Sequence, residues 1–345
     1  MDRKIPVGVL GATGTVGQRF LERLADHPWF EVTGLAASER SHGRPYGEAV
    51  RWRLSSKLPD RLAQLPIEAP TADLPCRAFF SALDAATARE VEPLLAARGA
   101  LVFSNASAFR MEEDVPLLVP EINPQALDLV DRQRRRRKWP GALVTNANCS
   151  TIVLAMALAP LDRAFSVERV FVVTLQAVSG AGYPGVPSLD ILGNVVPDIP
   201  GEAEKIENEL GKILGHGPSR PLAVSAMTHR VPVEDGHLEA VSVGLGRRAE
   251  PSELEAAWEE FRGTDEVAAL PSAPPRPILY WREAHRPQPR RDAEAAGGMA
   301  AHVGGLRRCP LLDWKFRVLG HNTVRGAAGA SLLNAEYAVA RGLLF

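Results

Sequence analysis

The chain has 345 residues, 46% of them hydrophobic, and a formal net charge of -1, which suits a two-domain globular protein and gives no reason to expect a nucleic-acid partner. No stretch approaches the roughly 20 uncharged apolar residues of a membrane span, and the first residues show neither an apolar h-region nor a small-residue cleavage site, so we expect no secretory leader. The three cysteines are too widely spaced for a disulfide framework or a zinc site, so we expect a cytoplasmic protein with reduced thiols.

The first forty residues alternate between strand and helix patterns. An apolar strand is predicted at 6–10, a helix at 16–26 and a second strand at 31–37. This βαβ order predicts a parallel sheet with a right-handed crossover. Further strand patterns follow at 77–81 and 100–104, with a helical pattern between them. Most of the first 150 residues are therefore predicted to form an α/β, doubly wound domain of the Rossmann type.

A glycine-rich turn, GATGTVG, joins the first predicted strand to the first predicted helix. Glycines let the backbone approach a diphosphate, whose charge then lies on the amides of the helix N-terminus. Three glycines alone could be a simple turn, but their place within a βαβ unit favours a dinucleotide site. The residues predicted to bind the dinucleotide here are Gly11, Thr13, Gly14, Thr15, Val16 and Gly17.

The residues after the second predicted strand indicate which dinucleotide binds. An NAD site usually places a carboxylate there for the ribose 2′-hydroxyl, whereas an NADP site offers neutral or basic groups to the 2′-phosphate. Ser38, Arg40 and Ser41 are the candidate phosphate partners, and Glu39 is the one opposing group. We therefore predict NADP(H) as the cofactor.

A basic run, RQRRRRK, covers residues 132–138 and is the strongest charge feature of the chain. The overall charge is balanced, and no aromatic residues interleave the run. We predict a solvated face on a loop rather than a nucleic-acid surface.

Cys149 lies between the polar cluster TNAN and the apolar run STIVLAMALAP. The run predicts a buried helix that begins at or beside the cysteine, and a helix N-terminus would stabilise a thiolate. A lone cysteine is more often a small buried hydrophobe. The amides around Asn146 and Asn148 favour the nucleophile here, since they could serve an oxyanion or a phosphate. A nucleophilic thiol beside a nicotinamide predicts either hydride addition to a thioester or hydride loss from a thiohemiacetal.

Beyond the cysteine the pattern changes. Strand patterns at 167–178, 237–246 and 315–320 are separated by long polar connections and by a helix pattern at 201–215. This mixture predicts an α+β domain with a mainly antiparallel sheet. A segment rich in proline and arginine, 272–292, is predicted to be a long irregular connection.

His237 is the histidine best suited to manage a proton, because it follows a glycine at the mouth of a strand pattern and can point into a cleft. Most of the other histidines lie in polar, loop-like surroundings. At the end of the chain, a run of small residues predicts a helix that returns to pack on the first domain.

Seven motifs, in order along nearly the whole chain, resemble the aspartate-semialdehyde dehydrogenase family, and its archaeal and fungal branch in particular. They are GATGTVGQ, SNASAFRMEEDVPLLVPEIN, TNANCSTI, LQAVSGAGYPGVPS, GEAEKIENELGKIL, HRVPVEDGH and LGHNTVRGAAGAS. The resemblance implies NADPH-dependent reduction of L-4-aspartyl phosphate to L-aspartate 4-semialdehyde through a cysteine thioester, for lysine, threonine and methionine synthesis. It further implies a cofactor domain at 1–148, completed by a helix at 324–345, and a catalytic and dimerisation domain at 149–323.

The resemblance also implies roles for the charged and polar residues. Cys149 matches the family's nucleophile, His237 its acid/base residue and Gln176 the residue that orients the acyl group. The residues that match the substrate-binding set are Arg110 and Lys205 for the phosphate with Asn148 beside them, Arg230 for the α-carboxylate and Glu202 for the amino group. Ser179, Gly180 and Asn322 match positions near the nicotinamide.

The residues alone leave alternatives. Glu202 and Lys205 share a helix face, but such a pair is by default a surface ion pair, and the two arginines are by default surface charges. Two other functions remain: a related acyl reductase acting on N-acetylglutamyl phosphate or malonyl-CoA, and a non-catalytic dinucleotide sensor. An N-acetylated substrate has no ammonium for Glu202 to face, and a sensor has no need of Cys149 and His237. We expect no metal, since no ligand spacing is found, and a homodimer or homotetramer by resemblance.

Overall fold

The computed structural model describes residues 4–71 and 73–344, and over these ranges the backbone forms two six-stranded sheets covered by helices. The first sheet contains β1 (Ile5–Leu10), β2 (Phe30–Ala36), β3 (Ile67–Glu68), β4 (Ala78–Ser81), β5 (Leu101–Ser104) and β6 (Ala142–Thr145). Its strands are all parallel, in the order β3-β2-β1-β4-β5-β6. This is the doubly wound order, with a crevice between the loops that follow β1 and β4. The predicted Rossmann-type fold is confirmed, although β3 and β6 were not predicted.

The helices of the first half are α1 (Thr15–Leu24), α2 (Tyr46–Ala49), α3 (Asp60–Ala63), α4 (Ala85–Ala97) and α5 (Leu129–Arg137). The prediction of a loop for the basic run was wrong, because most of the run forms α5. This helix buries Val130 and Gln133, and the arginines on its outer side are matched by acidic groups. Arg137 pairs with Asp114 at 2.6 Å, and Arg132 with Glu113 at 3.3 Å.

The second sheet contains β7 (Val167–Gln176), β8 (Ala223–Arg230), β9 (His237–Leu245), β10 (Ile278–Trp281), β11 (Ala301–Arg308) and β12 (Trp314–Gly320), in the order β10-β11-β12-β9-β7-β8. The β10–β11 and β7–β8 pairs are parallel and the other three pairs are antiparallel. A mixed, mostly antiparallel sheet confirms the predicted α+β second half.

The helices of the second half are α6 (Cys149–Phe165), α7 (Ser188–Ile191), α8 (Glu202–Leu214), α9 (Pro251–Glu260), α10 (Asp265–Ala268), α11 (Pro289–Asp292) and α12 (Gly329–Ala340). α6 is apolar on every side because it is buried between the second sheet and α8. The prediction of an irregular connection at 272–292 was wrong, since this segment contains β10 and α11. Ile278 joins the core beneath the sheet, and an ion pair between Arg286 and Asp292 folds the rest of the segment back.

The chain end returns to the first sheet, as predicted. A π-type turn, Val324–Ala328, leads into α12, and Leu332 and Tyr337 join the core that contains Phe80 and Phe103. None of the helices in the described part of the chain has the length and apolar character needed to cross a membrane.

Candidate active site

A cleft of about 640 Å³ is lined by residues from both halves of the chain. It reaches from the glycine turn after β1 to the N-terminus of α6. The predicted site residues that line it are Gly14, Thr15, Val16, Arg110, Asn148, Cys149, Ser179, Gly180, Glu202, Lys205 and Asn322. The fold thus brings together residues that are more than 300 positions apart in the sequence.

The glycine turn has the geometry that a diphosphate needs. Gly11 has a φ of 73°, and a Cβ on Gly17 would lie 2.2 Å from the carbonyl oxygen of Gly11, so α1 packs directly on the turn. Gly14 is the N-cap of α1 and has no side chain to occupy the first amides of the helix. Thr13 supports the turn through its carbonyl oxygen, which accepts a bond of 3.1 Å from Gln18. These residues fit a dinucleotide diphosphate.

Ser38, Arg40 and Ser41 lie at a distance from the thiol, in the turn that follows β2. They are not among the residues that line the cleft around Cys149. The side chains of Ser38 and Arg40 are exposed, and Ser41 is half-buried. This is the end of β2 at which a doubly wound fold holds the adenosine ribose.

Cys149 is the first residue of α6, and the amides around it already have partners. The Asn148 side chain accepts bonds from the amides of Ser150 at 3.0 Å and Thr151 at 3.2 Å. The Asn148 amide itself donates to Glu209 at 2.6 Å, and the Asn146 side chain donates to Asn105 at 3.1 Å. The amides of Asn148, Ser150 and Thr151 and the Asn146 side-chain donor are therefore engaged within the protein, and an oxyanion role for this cluster stays a prediction.

The pKa of the Cys149 thiol is raised to about 12, first by desolvation and then by the negative charge of Glu202. Arg110 and Arg230 act in the opposite direction without cancelling these effects. The expectation of a thiolate stabilised by the helix N-terminus was wrong for this state. Burial and the nearby Glu202 carboxylate outweigh the backbone amide of Ser150, which lowers the pKa of the thiol.

We expect Cys149 in the ligand-free protein to react with iodoacetamide at pH 8 at least about 10³-fold more slowly than a free cysteine, because the thiolate fraction falls tenfold per pKa unit. Glu202→Gln removes one cause of the raised pKa and should accelerate the reaction. The rate is measured by mass spectrometry of the peptide that contains Cys149. Alkylation as fast as that of free cysteine would contradict the raised pKa.

Glu202 connects the charged and polar side chains of the cleft. One of its carboxylate oxygens accepts a bond from Lys205 at 2.5 Å, and the other accepts bonds from Asn148 at 2.9 Å and Gln176 at 3.3 Å. Burial alone would raise the pKa of Glu202, but these donors lower it. Glu202 is therefore an anion at neutral pH.

Gln176, Arg230 and His237 meet at the end of the second sheet. Gln176 is paired in register with Arg230, and the residue after it, Ala177, contacts both of the others. The Ala177 carbonyl accepts a bond of 2.9 Å from Arg230, and its amide donates to Nδ1 of His237 at 3.0 Å. A Cβ on Gly180 would lie 2.8 Å from the Arg230 guanidinium and 3.1 Å from Nε2 of His237. Only glycine therefore fits between these side chains and the cleft.

The protonation of His237 follows from these contacts. Its side chain is fully buried, and burial together with the charge of Arg230 lowers its pKa to about 3. Since Nδ1 accepts the Ala177 amide, the neutral ring carries its proton on Nε2. Nε2 has no partner within the described residues. This buried N–H is therefore a donor without an acceptor among the described residues.

The residues predicted to lie near the nicotinamide form a chain of hydrogen bonds. The Asn322 side chain donates to the Ser179 hydroxyl at 2.8 Å, and Ser179 donates to Asp235 at 2.7 Å. Asp235 also pairs with Arg19 of α1 at 3.2 Å, which links the two halves of the chain. Asp235 and Arg19 were not predicted, although Asp235 lies in the same motif as His237.

Other cleft residues were also missed. Gly326 lies against Cys149, since a Cβ there would be 2.6 Å from Cβ of Cys149. Asn105 lines the cleft, and its carbonyl oxygen accepts a bond of 2.6 Å from Arg110. The signals were present in the small residues of RGAAGAS and in the loop that follows β5.

One group of possible metal ligands lies beside the cleft: Asp235, Glu294 and His321 offer atoms within 4.8 Å of one another. The sequence spacing did not indicate this group. Asp235 is already bonded to Ser179 and Arg19, and His321 pairs with Glu294 at 3.0 Å. The Arg19 guanidinium bonded to Asp235 opposes a cation here, so the arrangement is that of a network of hydrogen bonds and an ion pair.

Comparison with known proteins gives two family matches and full-length relatives. Residues 6–130 match the semialdehyde dehydrogenase NAD binding domain, and residues 158–325 match the semialdehyde dehydrogenase dimerisation domain. The aspartate-semialdehyde dehydrogenase of Methanothermobacter thermautotrophicus is 51% identical over 96% of this chain and 98% of its own. The aspartate-semialdehyde dehydrogenase of Cryptococcus neoformans is 45% identical over 99% of this chain and 98% of its own. The Candida albicans enzyme, solved with NADP, has a TM-score of 0.90 at 38% identity, covering 99% of this chain and 100% of its own.

Proposed function

The chain belongs to the aspartate-semialdehyde dehydrogenase family of oxidoreductases and has that activity, and we propose that NADPH is its reductant and Cys149 its nucleophile. The reaction converts L-4-aspartyl phosphate into L-aspartate 4-semialdehyde and phosphate, on the route to lysine, threonine and methionine. The proposal is supported by one observation above all: the glycine turn, the thiol and the charged pair Glu202 and Lys205 line a single cleft.

The charges of the cleft match those of the substrate. Arg110 and Lys205 bind the phosphate, for which a guanidinium fork and an ammonium are suited. Arg230 binds the α-carboxylate and Glu202 the ammonium. In the ligand-free structure Glu202 holds Lys205 at 2.5 Å, and the substrate ammonium would compete for this carboxylate. Binding of the amino group would thus release Lys205 toward the phosphate.

The chemistry begins at the thiol. The sulfur of Cys149 attacks the acyl carbon, a C–S bond forms, the C–O bond to phosphate breaks, and the thiol proton leaves with the phosphate. Bound NADPH supplies a hydride to the acyl carbon of the resulting thioester. Nε2–H of His237 donates a hydrogen bond to the oxyanion, and Gln176 orients the acyl group. Collapse of the thiohemiacetal yields the aldehyde, and the released thiolate takes a proton from solvent.

The proposal is tested in the reverse direction, in which phosphate is a substrate. With NADP⁺, L-aspartate 4-semialdehyde and no phosphate, the protein should release one equivalent of NADPH per site and stop as a thioester at Cys149. Added phosphate should restore turnover. NADPH formation without an acyl group on the Cys149 peptide would overturn the covalent route. N-Acetylglutamyl semialdehyde serves as the competing substrate.

The preference for NADP is proposed to depend on the turn after β2. Arg40→Ala should raise the KM for NADP⁺ by about 10- to 100-fold, since a hydrogen bond to a charged group contributes about 1.5–3 kcal/mol, and should leave the KM for NAD⁺ unchanged. Arg44→Ala, a nearby exposed arginine, is the matched control. Equal changes in both KM values would place the 2′-phosphate elsewhere.

The assembly is proposed to be a homodimer or a pair of such dimers. The outer face of the second sheet exposes large apolar side chains, including Phe171, Leu175 and Met227. A second copy covering this face would remove them from water.

We also propose a division into two domains, 1–148 and 149–323, with 324–345 added to the first. The proposed location is cytoplasmic, which suits a reduced catalytic thiol.

A further inference from the structure

Four of the six charged residues of helix α8 lie at spacings of three, four and three, and we call them the charged stripe: Glu202, Lys205, Glu209 and Lys212. At about 100° per residue these positions fall within about 80° of the helix circumference. The first two line the substrate cleft. The second two face the protein, and the roles proposed above do not involve them.

Glu209 joins two parts of the active site. Its side chain is only 3% exposed. One carboxylate oxygen accepts a bond of 2.9 Å from the Arg110 guanidinium, and the other accepts a bond of 2.6 Å from the backbone amide of Asn148. A single carboxylate therefore connects the phosphate-binding cation to the residue before the nucleophile Cys149.

Lys212 binds the backbone of the segment that carries Arg110. Its ammonium donates to the carbonyl oxygens of Arg110 at 2.7 Å, Glu112 at 2.8 Å and Val115 at 2.9 Å. The turn that carries Arg110 is therefore attached to α8 through both its side chain and its backbone.

These contacts leave the Arg110 guanidinium one orientation. Glu209 and the Asn105 carbonyl occupy its two terminal nitrogens. Three of the five N–H groups take no part in these bonds, and the one on Nε is buried without a partner within the described residues, although Arg110 lines the cleft. A substrate phosphate would supply the missing acceptor.

We propose that Glu209 is a positioning residue that sets the distance between Arg110 and Cys149. A substrate whose phosphate is bound by Arg110 then presents its acyl carbon to Cys149. The inference depends on the proposed function. A misplacement of about 1 Å between reacting groups can cost about 10²-fold in rate, so two bonds from one rigid carboxylate are enough to matter.

Glu209→Gln tests this directly. The glutamine has nearly the same size, but its NH2 group must face either Arg110 or the Asn148 amide, both of which are donors, so one bond is lost. In NADP⁺ reduction by L-aspartate 4-semialdehyde, we expect the KM for inorganic phosphate to rise about tenfold. The KM for NADP⁺ should stay unchanged. Alkylation of Cys149 by iodoacetamide should accelerate about tenfold as the Asn148 loop loosens. Glu204→Gln, an exposed glutamate on the same helix, is the control.

A purely structural ion pair would behave differently. It would lower the melting temperature of Glu209→Gln and leave both the KM for phosphate and the alkylation rate of the folded protein at wild-type values, and that result would overturn the proposal. Glu209→Asp keeps the charge but is one methylene too short to reach both donors, and it should resemble Glu209→Gln. Recovery of wild-type values in Glu209→Asp would show that charge alone matters.

Lys212→Met decides the question if the Glu209 variants do not fold. It loosens the Arg110 turn and leaves the Asn148 bond in place, so the KM for phosphate should rise several-fold while the Cys149 alkylation rate stays constant. An unchanged KM would overturn the positioning of Arg110 by α8. Wild-type protein without any phosphate-dependent activity would instead count against the proposed function.

Discussion

Replacing Cys149 by serine is expected to reduce phosphate-dependent NADP⁺ reduction by about 10⁴-fold or more, the scale seen when a nucleophile is removed from a preorganised site. The hydroxyl keeps the size of the side chain, so the cleft, the cap by Asn148 and the contacts of Glu202 should remain. What is lost is a nucleophile that can form a thioester, from which hydride transfer and phosphorolysis both proceed.

Cys76→Ser is the matched control for this experiment. Cys76 is also an unpaired, half-buried thiol, but it lies near Thr33 in the first sheet and does not line the cleft of Cys149. It should keep wild-type rates. NADP⁺ binding, measured by fluorescence titration, should be the same in Cys149→Ser and wild type. Substantial phosphate-dependent turnover in Cys149→Ser would refute covalent catalysis even though the family assignment would stand.

The place of Cys149 could be predicted, but its ionisation could not. The apolar run after it permits only a buried helix, so the start of α6 follows from local sequence. The thiol pKa depends on the burial of the side chain and on Glu202, which lies 53 positions later. Such effects require the tertiary arrangement, because charge and burial act through space.

The elements that were missed lack a strong signal in their local sequence. β8 reads AVSAMTHR, and Val224 is the one large apolar residue among its half-buried positions, so the strand lacks the apolar signal of a central strand. It forms because it pairs with β7 along eight residues. β3 has only two residues, and β10 lies in a segment rich in proline. The basic run forms a helix because acidic side chains from a preceding turn offset its charge, which local sequence does not show.

For the charged stripe too, local sequence predicts one part of the arrangement and only the fold determines the other. The spacing of Glu202, Lys205, Glu209 and Lys212 was visible in the sequence, and it predicted a shared helix face for the first two. The partners of Glu209 come from positions 110 and 148, which only the fold brings together.

The second large effect is expected at His237, where replacement by glutamine should lower turnover by about 10²- to 10³-fold. The ring is buried and neutral, and its Nε2–H is the donor available to the oxyanion beside Gly180. Its neighbour Glu239 does not supply a charge, because burial raises the pKa of that carboxyl well above its usual range. The charged and titratable groups that act on the ring are Arg230 and His321, which lower its pKa, and Glu202, which raises it.

In nitrogen-detected NMR of protein labelled at histidine, the His237 ring should therefore keep the Nε2–H tautomer and should not titrate between pH 8 and pH 5. His302 should behave in the same way, because burial lowers its pKa to about 4 and its Nδ1 accepts a bond from Trp281, so the signal that disappears in His237→Gln identifies His237. The lowered pKa of His237 also makes the free energy of unfolding depend on pH. The unfolded chain protonates this histidine near pH 6.5 while the folded chain does so only near pH 3, so the unfolded state binds more protons between these values. The free energy of unfolding should fall as the pH drops from about 6.5 toward 3, and His237→Gln should weaken that dependence. A His237 signal that titrates near pH 6.5 would mean that the ring is charged at mildly acidic pH, and the assignment of a neutral donor at Nε2 would then be wrong.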